Sequence, residues 1–551
     1  MEERIRKIVD EFLAQAGAPA TPFVVERPGD SKHGDYTTNA ALVAAKALGK
    51  NPRELVDSLA LHLMHALGES VASHVAVAGP GFVNITLARE AVTLAVAEAD
   101  AQGEVWGKGN ANAGQRVMVE YTDPNPFKEM HIGHLMSNTI GEAISRLIEN
   151  EGATVIRACY SGDIGPHVAK AIWALRKDGV TEPETAQSLS SAYVAGNRAY
   201  EDSLGAKAEI DALNQALYAG VDETLREEWR KGRTIALEAF QKIFKILGTH
   251  FDYYFYESET AEPGLRIVRD GLNKGIFEES EGAIIYRGEK QGLHTLVFIT
   301  SKGTPTYEAK DVGLAFLKEE RVQTDRSIIM TGTEQIGHFK VFLAALSEIA
   351  PKLAEKTTHI PHGLLSLSTG KMSSREGNVI TAAGFIEEVV QKAGEKNADP
   401  LVAEQVAIGA IKYMVLRQAP GSNIIFDPEK SLSLEGDSGP YLQYALVRAK
   451  SVLAAAEKTD ATVASVPGPL YPIERLMLHY PEVAARAARE LSPNLLVTYL
   501  TELAGKWNSF YAQERIIGGD HEAHKLMLAR AFVHTMTNGL TLLGIPVPER
   551  M

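Results

Sequence analysis

The sequence predicts an α/β fold: a parallel sheet of the nucleotide-binding (Rossmann) type with a helical insertion, a small α/β domain before it and an all-helical domain after it. Three observations carry this prediction. An apolar strand, a helix and a second apolar strand follow one another within 116–160, the order of a parallel crossover unit. A long, charged stretch of helical periodicity follows at about 165–280. After about residue 401 only helical patterns remain.

The N-terminal residues 1–106 are predicted to form an α/β domain of their own. Helical periodicity fills 1–17 and 39–65. The segment 74–87 reads as two strands joined by a Gly-Pro-Gly turn. A polar joint rich in glycine and asparagine follows at 107–115, and we expect the domain to end there.

The central domain is predicted to begin with the strand RVMVEY (116–121), which leads through a loop into a helix from about His134 to Glu151. The second strand is TVIRACY (154–160). Strands return after the insertion at TLVFIT (295–300) and RSIIMTG (326–332), each followed by helical periodicity. We therefore expect a sheet whose two halves are separated by the helical insertion.

The central domain is expected to span 116–400, and the C-terminal domain 401–551. Five helices are predicted in the latter, at 401–417, 438–457, 473–490, 493–514 and 520–543. The acidic stretch 457–470, rich in alanine and valine, is the expected loop between them.

Composition indicates a multidomain protein of a reducing cytoplasm. Hydrophobic residues make up 45% and charged residues 23%, and no apolar run reaches the roughly 18 residues of a membrane span. Acidic residues in the first helix exclude a secretory signal. The single cysteine, Cys159, excludes an intrachain disulfide and ends an apolar run, which favours a buried structural role. The net charge of −14 argues only weakly against nucleic acid as a partner.

The segment YTDPNPFKEMHIGHLMSN (121–138) directly follows the first strand. His131 and His134, three residues apart at a helix N-terminus, point the same way, toward an anion that the helix dipole favours. Gly133 leaves room for adenine to approach the backbone. The same pattern also fits a metal site or chance, although the strand–loop–helix context favours a nucleotide. Lys128 is either a second cation for the ATP phosphates or a solvent-facing lysine.

A second candidate loop is GKMSSREGNV (370–379). Such a loop is by itself often only a solvated turn. A flexible loop that carries a lysine can also close over pyrophosphate and neutralise the charge that develops as it leaves. The loop carries Lys371, Met372, Ser373 and Ser374.

These two motifs, in this order, resemble the signatures of class I aminoacyl-tRNA synthetases, and the chain is identified as a member of that class. Further segments resemble the arginyl family: EYTDPNP, PTYEAKDVG, GTEQIGHF, EGDSGPYLQYALVR, the closing GIPVPERM and the N-terminal GDYTTNAAL. The resemblance therefore runs through the whole chain. It implies a class I Rossmann-type catalytic domain, an N-terminal domain that contacts the corner of the tRNA, and a helical anticodon-binding domain. It also implies that Lys371, Met372, Ser373 and Ser374 bind ATP.

The resemblance also implies an arginine site. Asp311, Tyr307 and Glu257 would hold the guanidinium, and Glu120, Asn125 and Gln335 would fix the α-amino and carboxyl end. Guanidinium chemistry agrees, because a permanently charged planar fork calls for carboxylates and hydrogen-bond acceptors. Simpler roles stay open: Asp311 could cap a helix, and Glu120 could be a surface residue of its strand.

One segment, SGDIGPHVAK (161–170), departs from the family. Many members carry an aromatic residue after the aspartate and a glutamine further on, whereas this chain has Ile164, Pro166 and His167. Asp163 and Gly165 remain. The departure leaves the contacts of this loop as an open question.

The implied function is the ligation of arginine to tRNA(Arg). The arginine carboxylate would attack the α-phosphate of ATP, and the terminal adenosine of the tRNA would then attack the adenylate. Catalysis of this kind is positioning plus stabilisation of phosphate charge, which His131, His134 and Lys371 would supply. Mg²⁺ would accompany ATP, and no structural metal is expected. The resemblance further implies that arginine activation requires bound tRNA.

The expected tRNA contacts in the C-terminal domain are Tyr441, Gln443, Tyr444 and Arg448, because aromatic side chains can stack on unpaired bases. The two tyrosines could instead belong to a buried helix face. A monomer without membrane contact is expected. Two alternatives remain: a related ligase with another amino acid or a small-molecule acceptor, and a non-catalytic RNA-binding paralogue.

Overall fold

A computed structural model of the chain describes residues 1–180, 183–367, 380–456 and 468–551. The chain divides into two compact units, which are described separately. The first unit comprises Met1–Lys108, Tyr444–Arg486 and Thr498–Gly539. The second unit comprises Gly109–Gln443, Ala487–Val497 and Leu540–Met551.

The N-terminal part of the first unit is a four-stranded antiparallel sheet, in the order β1-β2-β4-β3, with helices packed on it. Its elements are α1 (Glu2–Gln15), β1 (Val25–Glu26), β2 (Tyr36–Thr38), α2 (Ala40–Leu48), α3 (Pro52–Leu67), β3 (Ala72–Ala78), β4 (Phe82–Leu87) and α4 (Arg89–Gln102). Helix α1 buries Ile5, Val9 and Leu13, which recur at helical spacing. The helices and the two strands predicted in this region are thus confirmed.

The second unit is built on a five-stranded parallel sheet in the order β12-β11-β5-β6-β7. Its first half contains β5 (Arg116–Glu120), α5 (Ile132–Asn150), β6 (Thr154–Ser161), α6 (Pro166–Lys177), α7 (Ala186–Asp202), α8 (Leu204–Ala219), α9 (Glu223–Leu247), β7 (Tyr253–Tyr256) and α10 (Glu257–Asn273). The parallel crossover predicted for 116–160 is confirmed, and its helix begins two residues earlier than expected.

The chain then forms β8 (Glu278–Ser280), β9 (Ala283–Tyr286), β10 (Leu296–Ile299), α11 (Tyr307–Arg321), β11 (Arg326–Gly332), α12 (Ile336–Ile349), α13 (Pro351–Lys356), β12 (Thr357–His362), β13 (Leu365–Leu367), α14 (Ala382–Gly394), α15 (Pro400–Leu416), β14 (Ile424–Phe426) and α16 (Pro428–Ser431). Strand β11 is an interior strand of the sheet, between β12 and β5.

Three predictions for this unit are corrected. The helical insertion does not extend to residue 280, because the short aromatic strand β7 lies within that range and pairs with β6. Strand β10 belongs to a separate antiparallel sheet, where it pairs with β9 directly before it in sequence. A strand also occurs after residue 401, since β14 pairs in parallel with β13. Strands β7 and β14 are only four and three residues long, too short for a clear periodicity.

The remaining helices are α17 (Gly439–Ala456), α18 (Pro472–Met477), α19 (Tyr480–Arg489), α20 (Pro493–Gln513) and α21 (Glu522–Leu542). The single helix predicted at 473–490 is two, with Pro481 in the first turn of the second, a position that tolerates proline. Most of the predicted loop, 457–467, lies outside the described residues. In the described parts of the chain no helix is long and apolar enough to cross a membrane.

The N-terminal GDYTTNAAL segment anchors these helices within the first unit. Asp35 accepts hydrogen bonds from the backbone N–H of Leu87 at 2.7 Å and from Arg475 of α18 at 2.5 Å. The Tyr36 hydroxyl lies 2.9 Å from both carboxylate oxygens of Glu482 in α19. The motif therefore has a structural role in this unit.

Candidate functional site

The candidate site lies at the carboxyl end of the central sheet, where β5 ends at Glu120 and a loop leads into α5. Three non-glycine residues of this loop, Thr122, Asp123 and Phe127, have φ angles of 80°, 47° and 66°. Such conformations are unfavourable unless surrounding contacts hold them. The Phe127 ring is fully buried, and a side chain at Gly232 of α9 would lie only 2.4 Å from it. The loop is thus fixed against the helical insertion.

Two stacked histidines form the start of α5. The Nδ1 of His131 accepts the backbone N–H of Gly133 at 3.1 Å, and the Nδ1 of His134 accepts the N–H of His131 at 3.1 Å. Their ring centroids lie 3.8 Å apart. Because both Nδ1 atoms accept hydrogen bonds, the proton of each neutral ring is on Nε2. Each ring therefore offers one Nε2–H donor.

The surroundings keep both imidazoles neutral. Burial lowers the pKa of His131, and the charges of Lys128 and His362 lower it further. Burial, His131 and His362 together hold the pKa of His134 well below its usual value. That the two histidines supply positive charge stays a prediction; as neutral rings they offer hydrogen-bond donors.

The neighbours of the histidines explain two residues of the motif. A side chain at Gly133 would lie 2.8 Å from the ring of His131, so the stacked pair itself requires glycine there. The Nζ of Lys128 lies 4.3 Å from the ring centroid of Tyr193 in α7, a cation–π contact. Lys128 is thus held against the helical insertion, beside the histidines, rather than extended into solvent.

The predicted lysine loop, with Lys371, Met372, Ser373 and Ser374, lies outside the described residues. The chain that follows it is anchored to the histidine motif. The backbone N–H of Ile132 donates to the carbonyl of Ile380 at 3.2 Å, and the N–H of Ala382 donates to the carbonyl of Met130 at 2.7 Å.

A buried ion pair marks the middle of the site. Glu257 begins α10, and its Oε2 lies 2.5 Å from the Nζ of Lys310 in α11. The same ammonium lies 5.4 Å from the ring centroid of Tyr307 and 5.6 Å from that of Tyr218. Although burial opposes it, Glu257 raises the pKa of Lys310. A carboxylate with two aromatic faces around a cation is also a suitable environment for a guanidinium.

Asn125 and Glu257 meet at the backbone of Gly162. The Oδ1 of Asn125 accepts the N–H of Gly162 at 3.1 Å. A Cβ at Gly162 would lie 2.3 Å from Asn125 Oδ1 and 2.9 Å from Glu257 Oε1, so only glycine fits. The Nε2 of His167 lies 2.7 Å from the Gly162 carbonyl, and burial lowers the pKa of His167 to about 3. The unusual His167 is therefore a neutral support of this loop.

Asp163, in the same loop, is fully buried and ties it to two helices. Its carboxylate accepts hydrogen bonds from Arg233 of α9 at 2.9 Å and from the backbone N–H and hydroxyl of Ser258 in α10 at 2.9 and 2.8 Å. Its carbonyl accepts the indole N–H of Trp229 at 2.7 Å. Asp163 is thus committed to structure.

Asp311 meets a histidine one turn beyond Gln335. The Nε2 of His338 in α12 lies 2.6 Å from Asp311 Oδ2, and its Nδ1 lies 3.3 Å from Glu308 Oε1. Burial opposes the charge on His338, but the two carboxylates outweigh it and raise its pKa to about 10. Tyr307, at the start of α11, is 65% exposed and lies at the opening of the site. Gln335 is exposed at the start of α12.

Glu120 also has its own cation. Its Oε2 lies 2.6 Å from the Nζ of Lys318 in α11, and both side chains are buried. Burial raises the pKa of Glu120, Lys318 opposes the rise, and Asp311 adds to it. The neighbouring Asp123 accepts the N–H of Tyr160 at 2.7 Å. Burial and Glu120 raise the pKa of Asp123 well above its usual value, which favours its protonated form.

In this acidic cluster, four carboxylates face three cations, so the described residues carry one negative charge in excess when Asp123 is protonated and the other four carboxylates are ionised. The carboxylates are Glu120, Glu257, Glu308 and Asp311, and the cations that face them are Lys310, Lys318 and His338. Arginine with its α-amino, carboxyl and guanidinium groups ionised carries one net positive charge, which would neutralise the excess negative charge of the cluster.

The helical candidates for RNA contact differ in exposure. Within the first unit, Arg448 donates to the Tyr444 hydroxyl at 2.7 Å, and its guanidinium lies 4.7 and 4.8 Å from the ring centroids of Tyr444 and Tyr511. Tyr511 is 38% exposed. Gln443, by contrast, is fully buried and donates to two backbone carbonyls at 3.0 and 2.8 Å. Its predicted role in RNA binding is therefore wrong, whereas Tyr441 is half-buried and stays a candidate.

Sequence reasoning missed several residues that complete the site: Tyr193, Tyr218, Lys310, Lys318, His338 and Tyr511. A signal existed for part of them. Lys318 follows Asp311 by seven residues, which places both on one face of α11. No local pattern predicts that tyrosines of the insertion reach the site.

Family models cover nearly the whole chain. The model described as tRNA synthetases class I (R), catalytic domain, matches residues 96–428. The DALR anticodon binding domain matches 442–551, and the arginyl tRNA synthetase N terminal domain matches 3–87. The fold and the site are thus those of a class I tRNA synthetase. Residues 401–428, which were expected in the helical domain, fall within the match to the catalytic domain. The packing of α15 against α14 and α5 agrees with this placement.

Individual relatives narrow the class. The arginine–tRNA ligase of Lactobacillus delbrueckii subsp. bulgaricus is 31% identical over 550 residues, covering 96% of this chain and 95% of its own. That of Treponema pallidum is 30% identical over 587 residues, covering 100% and 99%. The Thermus thermophilus arginyl-tRNA synthetase structure matches with a TM-score of 0.83 and 26% identity over 100% of both chains. The chain belongs to the arginyl-tRNA synthetase family and is an ATP-dependent arginine–tRNA ligase.

Proposed function

We propose that Asp311, Tyr307 and Glu257 hold the guanidinium of arginine, and that Glu120, Asn125 and Gln335 fix its α-amino and carboxyl groups. The observation that carries this assignment is the acidic cluster with one uncompensated negative charge. A buried cation already lies between the Glu257 carboxylate and the Tyr307 ring, so this environment stabilises positive charge. The exposed Tyr307 would cover the guanidinium after arginine enters.

At the nucleotide end, His131 and His134 would donate their Nε2–H groups to the ATP phosphates, with Gly133 beside adenine. Lys128 would add a positive charge next to the two rings. The loop residues Lys371, Met372, Ser373 and Ser374 would close over the β- and γ-phosphates. Support for this comes from Ile380 and Ala382, which follow the loop and bond to the histidine motif.

The reaction needs no protein nucleophile. The arginine carboxylate attacks the α-phosphorus in line, pyrophosphate leaves, and the bound groups stabilise the charge on the phosphate oxygens. Cys159 is buried, and burial raises the pKa of its thiol well above the usual value, so it takes no part. The described residues contain no group of three or more His, Cys, Asp or Glu that could hold a metal. Mg²⁺ would arrive with ATP as part of the substrate.

The second step transfers arginine to the terminal adenosine of tRNA(Arg). The anticodon region would be read by residues 442–551, where Tyr444, Arg448 and the newly recognised Tyr511 form an aromatic and cationic surface. Tyr441 stays a further candidate. The N-terminal residues 1–106 would contact the corner of the tRNA. A cytoplasmic monomer is the state we propose for the enzyme.

The test is amino-acid-dependent exchange of labelled pyrophosphate into ATP, run with each of the twenty amino acids, with and without total tRNA. We expect exchange with arginine alone, and only when tRNA is present. Exchange with arginine in the absence of tRNA would contradict the tRNA requirement and leave the substrate intact. Exchange with another amino acid would overturn the assignment of the pocket.

A further inference from the structure

The ion pair between Glu120 and Lys318 lies on the side of α11 that faces the sheet. Lys318 is in the last turn of the helix, and its buried Nζ lies 2.6 Å from Glu120 Oε2 at the carboxyl end of β5. Helical side chains lean toward the N-terminus of their helix, which directs Lys318 back toward the site. The pair therefore connects α11, which carries Tyr307 and Asp311, to the strand that carries Glu120.

The groups that face Glu120 are mostly unfavourable to its charge. Asp311 of α11 and Asp123 of the following loop are acidic, and Cys159 and Tyr160 of β6 are close enough to respond to the Glu120 charge. A carboxylate that is buried among acids is stable only with a cation beside it.

A second lysine, Lys356, lies nearby but is paired with another carboxylate. A cavity of about 30 Å³, enough for a single water molecule, is lined by Glu120, Asp311, Lys318, Glu319 and Lys356, among others. The Nζ of Lys356 pairs with Glu319 and donates to the Thr324 carbonyl at 2.9 Å. Among the described residues, Lys318 is thus the cation that pairs with Glu120.

We propose that Lys318 is a positioning residue for arginine: it keeps the Glu120 carboxylate ionised and oriented, so that Glu120 can receive the α-ammonium of the substrate. Lys318 itself does not touch arginine. A carboxylate has two oxygens and can accept several donors, so one ammonium from the protein leaves capacity for a second from the substrate. The inference rests on the proposed role of Glu120.

The test compares Lys318→Met, Lys318→Arg, Glu120→Gln and the double variant Lys318→Met/Glu120→Gln in tRNA charging. We expect Lys318→Met to raise the KM for arginine at least about tenfold near neutral pH, since one partner of a buried charge pair is lost. The KM for ATP is expected to change less than about twofold, because the nucleotide end is untouched. Lys318→Arg keeps a cation and is expected to stay near wild type.

The pH profile separates positioning from simple support of the fold. Without Lys318, burial and the acidic neighbours favour protonated Glu120, and the carboxylate returns as pH rises. The KM for arginine of Lys318→Met should therefore fall toward wild type as pH rises, with the wild-type profile correcting for titration of arginine itself. Glu120→Gln has no carboxylate to recover, so its raised KM should not fall as pH rises.

The double variant is the decisive control, and it also removes the unpaired buried charge that could unfold Lys318→Met. It should match Glu120→Gln, because Lys318 acts only through Glu120. Additive effects, or a wild-type KM for Lys318→Met, would overturn the inference. A wild-type KM for arginine in Glu120→Gln would show instead that the proposed role of Glu120 is wrong. The inference about Lys318 rests on that role and would then fail as well.

Discussion

At the proposed arginine end of the site, acidic side chains from β5, α10 and α11 each face a cation, and four carboxylates stand against three cations. At the proposed nucleotide end, two imidazoles stack on each other, and burial, Lys128 and His362 lower the pKa of His131. One end is thus prepared for a cation and the other for an anion. The comparison shows that the two ends use different means, since the first relies on net charge and the second on oriented N–H donors.

The largest effect is expected from removal of charge at the arginine end. Asp311→Asn takes away the carboxylate proposed to hold the guanidinium and should lower kcat/KM for arginine by about 10²- to 10³-fold, as for loss of one partner of a desolvated charge pair. Steady-state charging kinetics measure this.

The matched control for that variant is Glu308→Gln, which alters the other carboxylate bound to His338. It should cost clearly less than Asp311→Asn, because it removes the same negative charge from the cluster but leaves the proposed contact between Asp311 and the guanidinium. Equal losses in the two variants would show that His338, rather than the guanidinium, explains the effect of Asp311.

A somewhat smaller effect is expected at the nucleotide end. His131→Asn removes an Nε2–H donor to the phosphates and should lower kcat about a hundredfold, as for loss of one transition-state donor. The KM for arginine should stay within about twofold, because the interaction concerns the phosphates. Pyrophosphate exchange measured over a range of arginine concentrations, in the presence of tRNA, gives both values.

His359→Asn serves as the control, since His359 is also half-buried and its pKa is lowered to about 4 by burial, His338 and His362. That variant should keep kcat within about threefold, because it removes no proposed phosphate donor. A loss equal to that of His131→Asn would contradict the assignment.

The smallest effect concerns thermal stability, which should depend on pH in opposite directions at the two ends of the site. The pKa of His338 is raised to about 10, so its contribution is fully present below the unfolded value near 6.5 and is lost as pH rises toward 10. His338→Asn should therefore melt a few degrees below wild type at neutral pH, with the difference shrinking toward about pH 10.

His131, whose pKa is lowered, should give the opposite dependence of stability on pH. Wild type should lose stability as pH falls below about 6.5, because the unfolded chain gains a proton there that the folded site resists. His131→Asn should lack this part of the loss. Thermal melts of wild type and of both variants across the pH range test both predictions. The electrostatic distinction between the two ends would be contradicted if the stability difference from wild type changed with pH in the same direction for both variants.

The sequence reveals the nucleotide end and the acidic residues well, because they lie in contiguous segments. His131 and His134 are one turn apart, and Tyr307 and Asp311 share a helix face, so local periodicity places them together. The edge strand β7 escaped prediction because four aromatic residues between charged helices give no clear alternation.

The partners of these residues were not predictable from local pattern. Lys318 reaches Glu120 across 198 positions of sequence, and Tyr218 approaches Lys310 from the insertion. Gln443 shows the opposite error, since a polar residue beside two tyrosines looked like an RNA contact and is buried against backbone carbonyls. Pairings that depend on the fold decide whether a polar side chain serves the substrate or the structure.

The most direct measurement of the central claim is discrimination between arginine and citrulline, whose neutral urea group has nearly the same shape as the guanidinium. Pyrophosphate exchange in the presence of tRNA is measured for both, with wild type and Asp311→Asn. Wild type should favour arginine by at least about 10³-fold in kcat/KM, because citrulline leaves the acidic cluster uncompensated. Asp311→Asn should lose most of this preference. Equal loss of activity toward both amino acids, with the preference unchanged, would contradict the claim that charge selects the substrate.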